Sequence, residues 1–201
     1  MDLESYMNKR RWNSYWYQIQ EVKNTNPEKV LEVGIGHGIV SDYLKKLGIE
    51  VTTFDINEER EPDVVGNVLN LTEHFENNSF DTILCAEVLE HLPFEKFTKA
   101  LSELAASTKE SVVLSLPVFG LPIHFEFSVL KKDINLTTRL PSPIKYEGAQ
   151  SHHWEINRKG YSKKRVLKEI RLFFKVKKEY TVPGSSYHQI FILKKTLRDE
   201  K

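Results

Sequence analysis

Leu31 to Gly38, LEVGIGHG, concentrates the residues best able to hold a small ligand against the backbone. Three glycines at alternate positions, Gly34, Gly36 and Gly38, let the chain turn tightly and leave main-chain N–H groups open to approach. An acidic residue, Glu32, stands just before them. A dinucleotide fingerprint needs Gly-x-Gly-x-x-Gly. Here the third glycine comes one position early, and Ile39 occupies the place reserved for it. Asp55 follows Gly34 by 21 residues, in FDIN, where an ionised carboxylate can accept charge-assisted hydrogen bonds. Glu87, Glu90 and His91, in EVLEH, are spaced to share one face of a first helical turn. His152 and His153, just before Trp154, add two imidazoles of the kind that accept protons near neutral pH.

A frame must position these groups. Trp12, Tyr15, Trp16, Ile19 and Val22 recur at spacings of three and four, which predicts an amphipathic helix over residues 6–22 whose aromatic stripe packs over the ligand cleft. Asn26 and Pro27 break it. Lys29 to Val33 reads as a strand, followed by the glycine turn and a helix carrying Ile39, Val40, Tyr43, Leu44 and Leu47 up to Gly48. Further strands are expected at Glu50 to Phe54, Asp63 to Val65, Asp81 to Cys85 and Val112 to Leu116, with a helix at Phe94 to Ala106. Such alternation implies a parallel sheet with helices on both faces. From Pro117 to Asn157 the pattern stops, and four prolines and two glycines punctuate an irregular stretch. Its length, with Phe119, Phe125, Phe127, Tyr146 and Trp154, predicts an ordered lid. Val166 to Phe174 then forms a helix, and Lys175 to Val182 and Gln189 to Lys194 form two antiparallel strands around Pro183, Gly184 and Ser185.

From about Lys29 to Lys195 the chain resembles the class I S-adenosylmethionine-dependent methyltransferases. The resemblance rests on Glu32-x-Gly34-x-Gly36-x-Gly38 after an apolar strand, on Asp55 at the tip of the second strand, on FDTILCAEVLEHL from Phe80 to Leu92, and on the two terminal strands. It implies a Rossmann-like α/β fold, a seven-stranded mostly parallel sheet with a reversed last strand, in one domain over residues 1–201. It also implies S-adenosylmethionine as cofactor. Asp55 would take the ribose hydroxyls, Ile56 would lie against the adenine, Val68 would also belong to the cofactor site, and Gly34 and Gly36 would keep side chains out of the cofactor's path. Gly38 completes the cofactor loop, and Glu32 would orient the methionine amino end. Asn67 sits where the family often has an acidic residue facing the adenine amino group; an amide oxygen still accepts that bond. Glu87, Glu90 and His91 would border the transferring methyl group. Some members use a similar Glu-x-x-Glu-His as magnesium or manganese ligands and many carry the same letters without metal; here no metal is expected. His153 is the expected proton acceptor at the lid, held inward by burial of Trp154.

Composition sets outer bounds. The chain has 201 residues, 40% hydrophobic and 28% charged, and a formal net charge of +1, so general polyanion binding is not implied. Its one cysteine, Cys85, rules out an intrachain disulfide and a cysteine-based zinc cluster. No window approaches a membrane span, and MDLESYMNKRRWNSYW lacks a continuous apolar stretch, so a cytoplasmic protein is expected. The 10 basic residues from Arg158 to Lys178, opposed only by Glu169, read as a solvated face or as a dock for an anionic acceptor. The expected function is methyl transfer to an oxygen or nitrogen of a small or medium-sized acceptor, not a nucleic acid. The alternatives are a nicotinamide-dependent oxidoreductase and a non-catalytic S-adenosylmethionine-binding protein.

Overall fold

The computed structural model describes residues 7–129, 132–140 and 151–196. Helix α1 (Lys9–Asn24) leads into β1 (Lys29–Val33), α2 (Ile39–Lys46), β2 (Glu50–Asp55), β3 (Val64–Val65), β4 (Phe80–Ala86), α3 (Phe97–Ser107) and β5 (Thr108–Pro117). After β6 (Leu121–Val129) and β7 (Lys132–Leu140) come α4 (Lys163–Ile170), β8 (Phe174–Thr181) and β9 (His188–Lys195). Seven strands form one sheet in the order β3-β2-β1-β4-β5-β9-β8. Its neighbours from β3 to β5 are parallel, and β9 runs antiparallel to both β5 and β8. The last strand is therefore the reversed one, slotted between the fifth and the sixth of the sheet.

The strands alternate between two cores because successive side chains leave opposite faces. Leu31, Val33, Ile83, Cys85, Val112 and Leu114 meet Phe97 and Leu101 of α3 and Val166 and Ile170 of α4. Val30, Leu84, Val113 and Ile190 meet Ile19 and Val22 of α1 and Val40 and Leu44 of α2. Glu32 shares the parity of Val30, so its carboxyl is carried to the α1/α2 side at the end of β1.

Three expectations change. Trp12 and Trp16 are exposed, and α1 turns Tyr15, with Ser14 and Gln18, toward the cleft instead. The stretch expected to be irregular contains a hairpin, β6 on β7, in register from Leu121↔Leu140 to Val129↔Lys132. Its alternation of Ile123, Phe125, Phe127 and Val129 with polar residues is a strand period that Pro122 obscures. Pro141, Pro143, Tyr146 and Gly148 of the expected lid lie outside the described residues. Thirdly, EVLEH does not open an α-helix: Glu87 has φ +55 and only Leu89–His91 forms a single 3-10 turn.

Candidate active site

The carboxyl ends of β1, β2 and β4 open onto a cleft of about 480 Å³, within the usual range for small-ligand pockets. Glu32, Gly34, Gly36, Asp55, Ile56, Asn67, Val68, Glu87 and His91 all line it. Gly38 and His153 do not.

Asp55 ends β2 and is 8% exposed. Its Oδ2 accepts the Ile35 N–H at 3.0 Å and its Oδ1 the Asn57 N–H at 2.9 Å. The carboxylate thus ties the glycine loop to the β2 turn, and each oxygen keeps a second lone pair toward the cleft. Arg60 reaches across, its Nε 3.9 Å from Asp55 Oδ2 and its Nη1 donating to the Gly36 carbonyl. Ile56, exposed, and Val68, buried, give the cleft apolar surface beside this carboxylate. The Asn67 amide oxygen accepts the Leu69 N–H at 2.9 Å, capping the 3-10 turn Val68–Glu73. Gly66 passes so close to Phe54 and His74 that a Cβ would stand 2.6 Å and 2.7 Å from them.

The three loop glycines differ in purpose. All have positive φ. A Cβ on Gly34 would collide with Val88, whereas one on Gly36 would meet nothing within 4 Å. Gly36 is therefore the open cradle. Gly38 is the residue before α2, and its carbonyl accepts the Asp42 N–H and the Ser41 hydroxyl. Gly38 does not line the cleft, and its left-handed conformation starts α2.

Glu32 is 4% exposed and its Oε2 has no partner. Burial pushes its pKa up to about 7, against the pull of hydrogen bonds from Ser41. A buried carboxylate without its second partner is costly, and a cationic amino group arriving in the cleft would supply that partner.

Glu87 sits where β4 leaves the sheet. Its N–H donates to the Ser115 carbonyl at 3.1 Å, and the Ser115 hydroxyl donates to its Oε1 at 2.6 Å. Its Oε2 lies 3.7 Å from His188 Nε2. The Gln18 amide donates to Ser14 Oγ at 3.1 Å, and that oxygen lies 2.7 Å from His188 Nδ1, which Ser185 Oγ also approaches at 3.4 Å. No single stretch of sequence contains this relay, which joins α1, β9 and the end of β4.

The other residues of EVLEH part company. His91 lines the cleft, while Glu90 is fully buried, with no hydrogen bond to either carboxyl oxygen and His152 Nε2 3.9 Å from its Oε1. Burial, with the Glu87 and Glu155 charges, holds the Glu90 carboxyl well above the usual range. His152 stacks edge-on against His91 at 4.8 Å. Its Nδ1 lies 3.1 Å from Glu155 Oε1, which the Tyr187 hydroxyl also reaches at 2.6 Å. Burial would raise Glu155, but the hydrogen bonds from His152 and Tyr187 and the Arg158 charge hold it below the usual range. Burial and the bond to Glu155 push the Tyr187 phenol above its ordinary value. Ligand atoms of Glu90, His91 and His152 lie within 4.8 Å of one another, close enough to hold a cation together.

His153 is exposed, and its N–H donates to the Glu90 carbonyl at 2.9 Å. The expectation that it faces the acceptor is corrected. His152 is partly buried and Trp154 fully buried, whereas His153 between them is exposed. Trp154 is buried against Phe94 and Phe97, and its Nε1 donates to the Leu92 carbonyl. It anchors the segment to the core. None of the residues 117–123, 125, 139 and 151–157 lines the cleft.

A family model described as a methyltransferase domain matches residues 10–155. The chain belongs to that methyltransferase family. With this, the nicotinamide-dependent alternative is set aside. A curated relative, the ubiquinone biosynthesis O-methyltransferase of Shewanella halifaxensis, is 33% identical over 81 residues, covering 33% of this chain and 34% of that protein. The chain thus matches about a third of the length of that relative. Among solved structures, a SAM-dependent methyltransferase from Archaeoglobus fulgidus superposes with a TM-score of 0.65 at 16% identity, covering 96% of this chain and 97% of that one. The Burkholderia thailandensis 1,6-didemethyltoxoflavin-N1-methyltransferase, with its acceptor and S-adenosylhomocysteine bound, gives 0.57 at 16% identity, covering 85% and 72%. These likenesses support the fold at this level of identity.

Proposed function

We propose that this protein transfers the methyl group of S-adenosylmethionine to an oxygen or nitrogen of a small or medium-sized acceptor. The observation that carries the reading is the pairing of two buried carboxyls at the carboxyl edge of adjacent strands. Glu32 pairs in register with Thr53, and Asp55 lies two residues further, roughly 7 Å along the strand. One suits an amino group and the other a ribose diol, the two polar ends of this one cofactor.

When bound, S-adenosylmethionine supplies an electrophilic sulfonium methyl, and the protein's part is alignment and proton removal. Asp55 receives the ribose hydroxyls on its remaining lone pairs, and Ile56 and Val68 bracket the adenine. Asn67, already spent on its turn, offers one lone pair to the adenine amino group. Glu32 holds the amino end, and Gly36 leaves room for the backbone to be approached. On the acceptor side, Glu87, steadied by Ser115 and His188, and His91, backed by His152, border the reacting atoms. His91, which lines the cleft, takes the role first given to His153, while His188, a second imidazole lining the cleft, steadies Glu87.

A curated relative acts, by its name, as an O-methyltransferase, which favours oxygen as the target. We take the acceptor to be a small molecule and not a nucleic acid, since the basic run is partly spent on Lys163–Glu179 and Lys178–Glu21 ion pairs. Among the described residues no helix is long and apolar enough to cross a membrane, and a lone buried cysteine supports a reducing, cytoplasmic setting. The test is transfer of labelled methyl from S-adenosylmethionine into fractionated cell extract. Label in a discrete small molecule supports the reading; cofactor binding with no transfer to any fraction would favour the non-catalytic alternative.

A further inference from the structure

Trp12 and Trp16 stand one turn apart on α1, 57% and 53% exposed. Exposed apolar area of that size marks a contact surface when its neighbours agree on a partner. Here they do. Arg11, Ser14, Tyr15 and Gln18 line the cleft, and Ile19 and Val22 enter the core; the two indoles belong to neither face. Lys9 and Arg10 precede them, both exposed, and no acidic residue occurs between Met7 and Gln20. The first acid beyond Met7, Glu21, is buried and taken by Lys178 and Tyr180 at 2.6 and 2.8 Å. Trp16 packs edge-on against Tyr17, and Tyr17 against Tyr180. That aromatic row leads to the edge strand β8, where Lys175 and Lys177 are exposed.

Indoles favour the headgroup zone of a bilayer, where the ring is apolar and the N–H stays wet, and flanking cations meet anionic lipid. A second copy of the chain is a poor occupant, because a two-fold contact would set Lys9 and Arg10 near their own images. We propose that this face of α1 docks the protein on an anionic lipid bilayer. Docking sets the cleft, lined by the adjoining edge of the same helix, beside the membrane. If the methyl-transfer reading holds, the acceptor class favoured is an amphiphile presented at the bilayer surface.

The test is co-sedimentation of the full chain with phosphatidylcholine vesicles, with and without about 30% phosphatidylglycerol. Expected is at least about tenfold stronger partitioning to the anionic vesicles, with a blue shift of tryptophan emission. Trp154 is fully buried, so the shift reports Trp12 and Trp16. W12A/W16A should lose about tenfold or more of this partitioning, and K9E/R10E should lose the preference for anionic lipid, both with unchanged circular dichroism. Absence of anionic vesicle binding overturns the proposal, as does equal binding by folded W12A/W16A. A wild-type dimer that W12A/W16A converts to monomer overturns it in favour of a protein interface. No cofactor or acceptor enters the assay, so its failure leaves the methyl-transfer reading standing, and failure of transfer leaves the docking result intact.

Discussion

Nδ1 of His91 lies 3.0 Å from the carbonyl oxygen of Ser151. A carbonyl only accepts, so Nδ1 carries the proton and Nε2 keeps its lone pair on a ring that lines the cleft. An Asn at position 91 can still donate toward Ser151 but has no basic nitrogen. His91→Asn should therefore lower turnover by about 10² to 10⁴ while cofactor affinity, measured by calorimetry, stays as in wild type. Normal turnover would remove His91 from proton transfer.

Glu32 links binding to pH and to stability. Its folded pKa of about 7 lies above the usual 4.5. Between those values the folded cofactor-free protein keeps a proton that the unfolded chain has released, so stability falls as pH rises through that window. The full loss is about 3 kcal/mol. Glu32→Gln should recover about 1 to 3 kcal/mol of it at pH 8 and weaken S-adenosylmethionine binding by a similar amount. Denaturant melts at pH 5 and pH 8 check the sign: a variant no more stable than wild type at pH 8 contradicts the burial cost.

Gly34 and Gly36 should fail in different ways. Gly34→Ala drives a methyl into Val88 at φ +79 and should cost about 1 to 3 kcal/mol of folding stability. Gly36→Val meets only open space and pays about 1 to 2 kcal/mol for its left-handed backbone. It should fold and yet lose cofactor binding, since its side chain occupies the cleft. Thermal melts paired with calorimetry separate the two outcomes.

Much of this arrangement was legible in the residues. The βαβ alternation and the glycine loop follow from short-range periodicity and local motif, whereas the reversed last strand and the role of Asp55 rest on the family resemblance. What lay beyond the sequence was long-range. Ser14, Gln18 and His188 are buried or lining polar residues on two distant elements, and only the fold brings them to Glu87. Arg60 carried no signal, being one charge in an acidic stretch. The tandem histidines were ambiguous because which of them turns inward is set by the tertiary packing of an irregular segment with no strand period. Trp12 and Trp16 misled for a related reason: a helical stripe of five apolar residues is wider than the face α1 buries.

Glu90, His91 and His152 are close enough to hold a cation, yet methyl transfer is expected to survive chelation. Glu87, the remaining acid of the motif, is committed to Ser115, and burial favours the neutral form of Glu90. Activity should be unchanged after dialysis against chelator and insensitive to added magnesium or manganese. Complete loss, restored by either ion, would turn the cluster into a metal site.

Calorimetric titration of the purified protein and of Asp55→Ala with S-adenosylmethionine tests the assigned cofactor most directly. Wild type should bind at one site and prefer this ligand to NAD. The variant, folded by circular dichroism, should lose about 1.5 to 3 kcal/mol of binding free energy, roughly 10- to 150-fold in affinity. No saturable binding by wild type, tighter binding of NAD, or full affinity in the folded variant would contradict it.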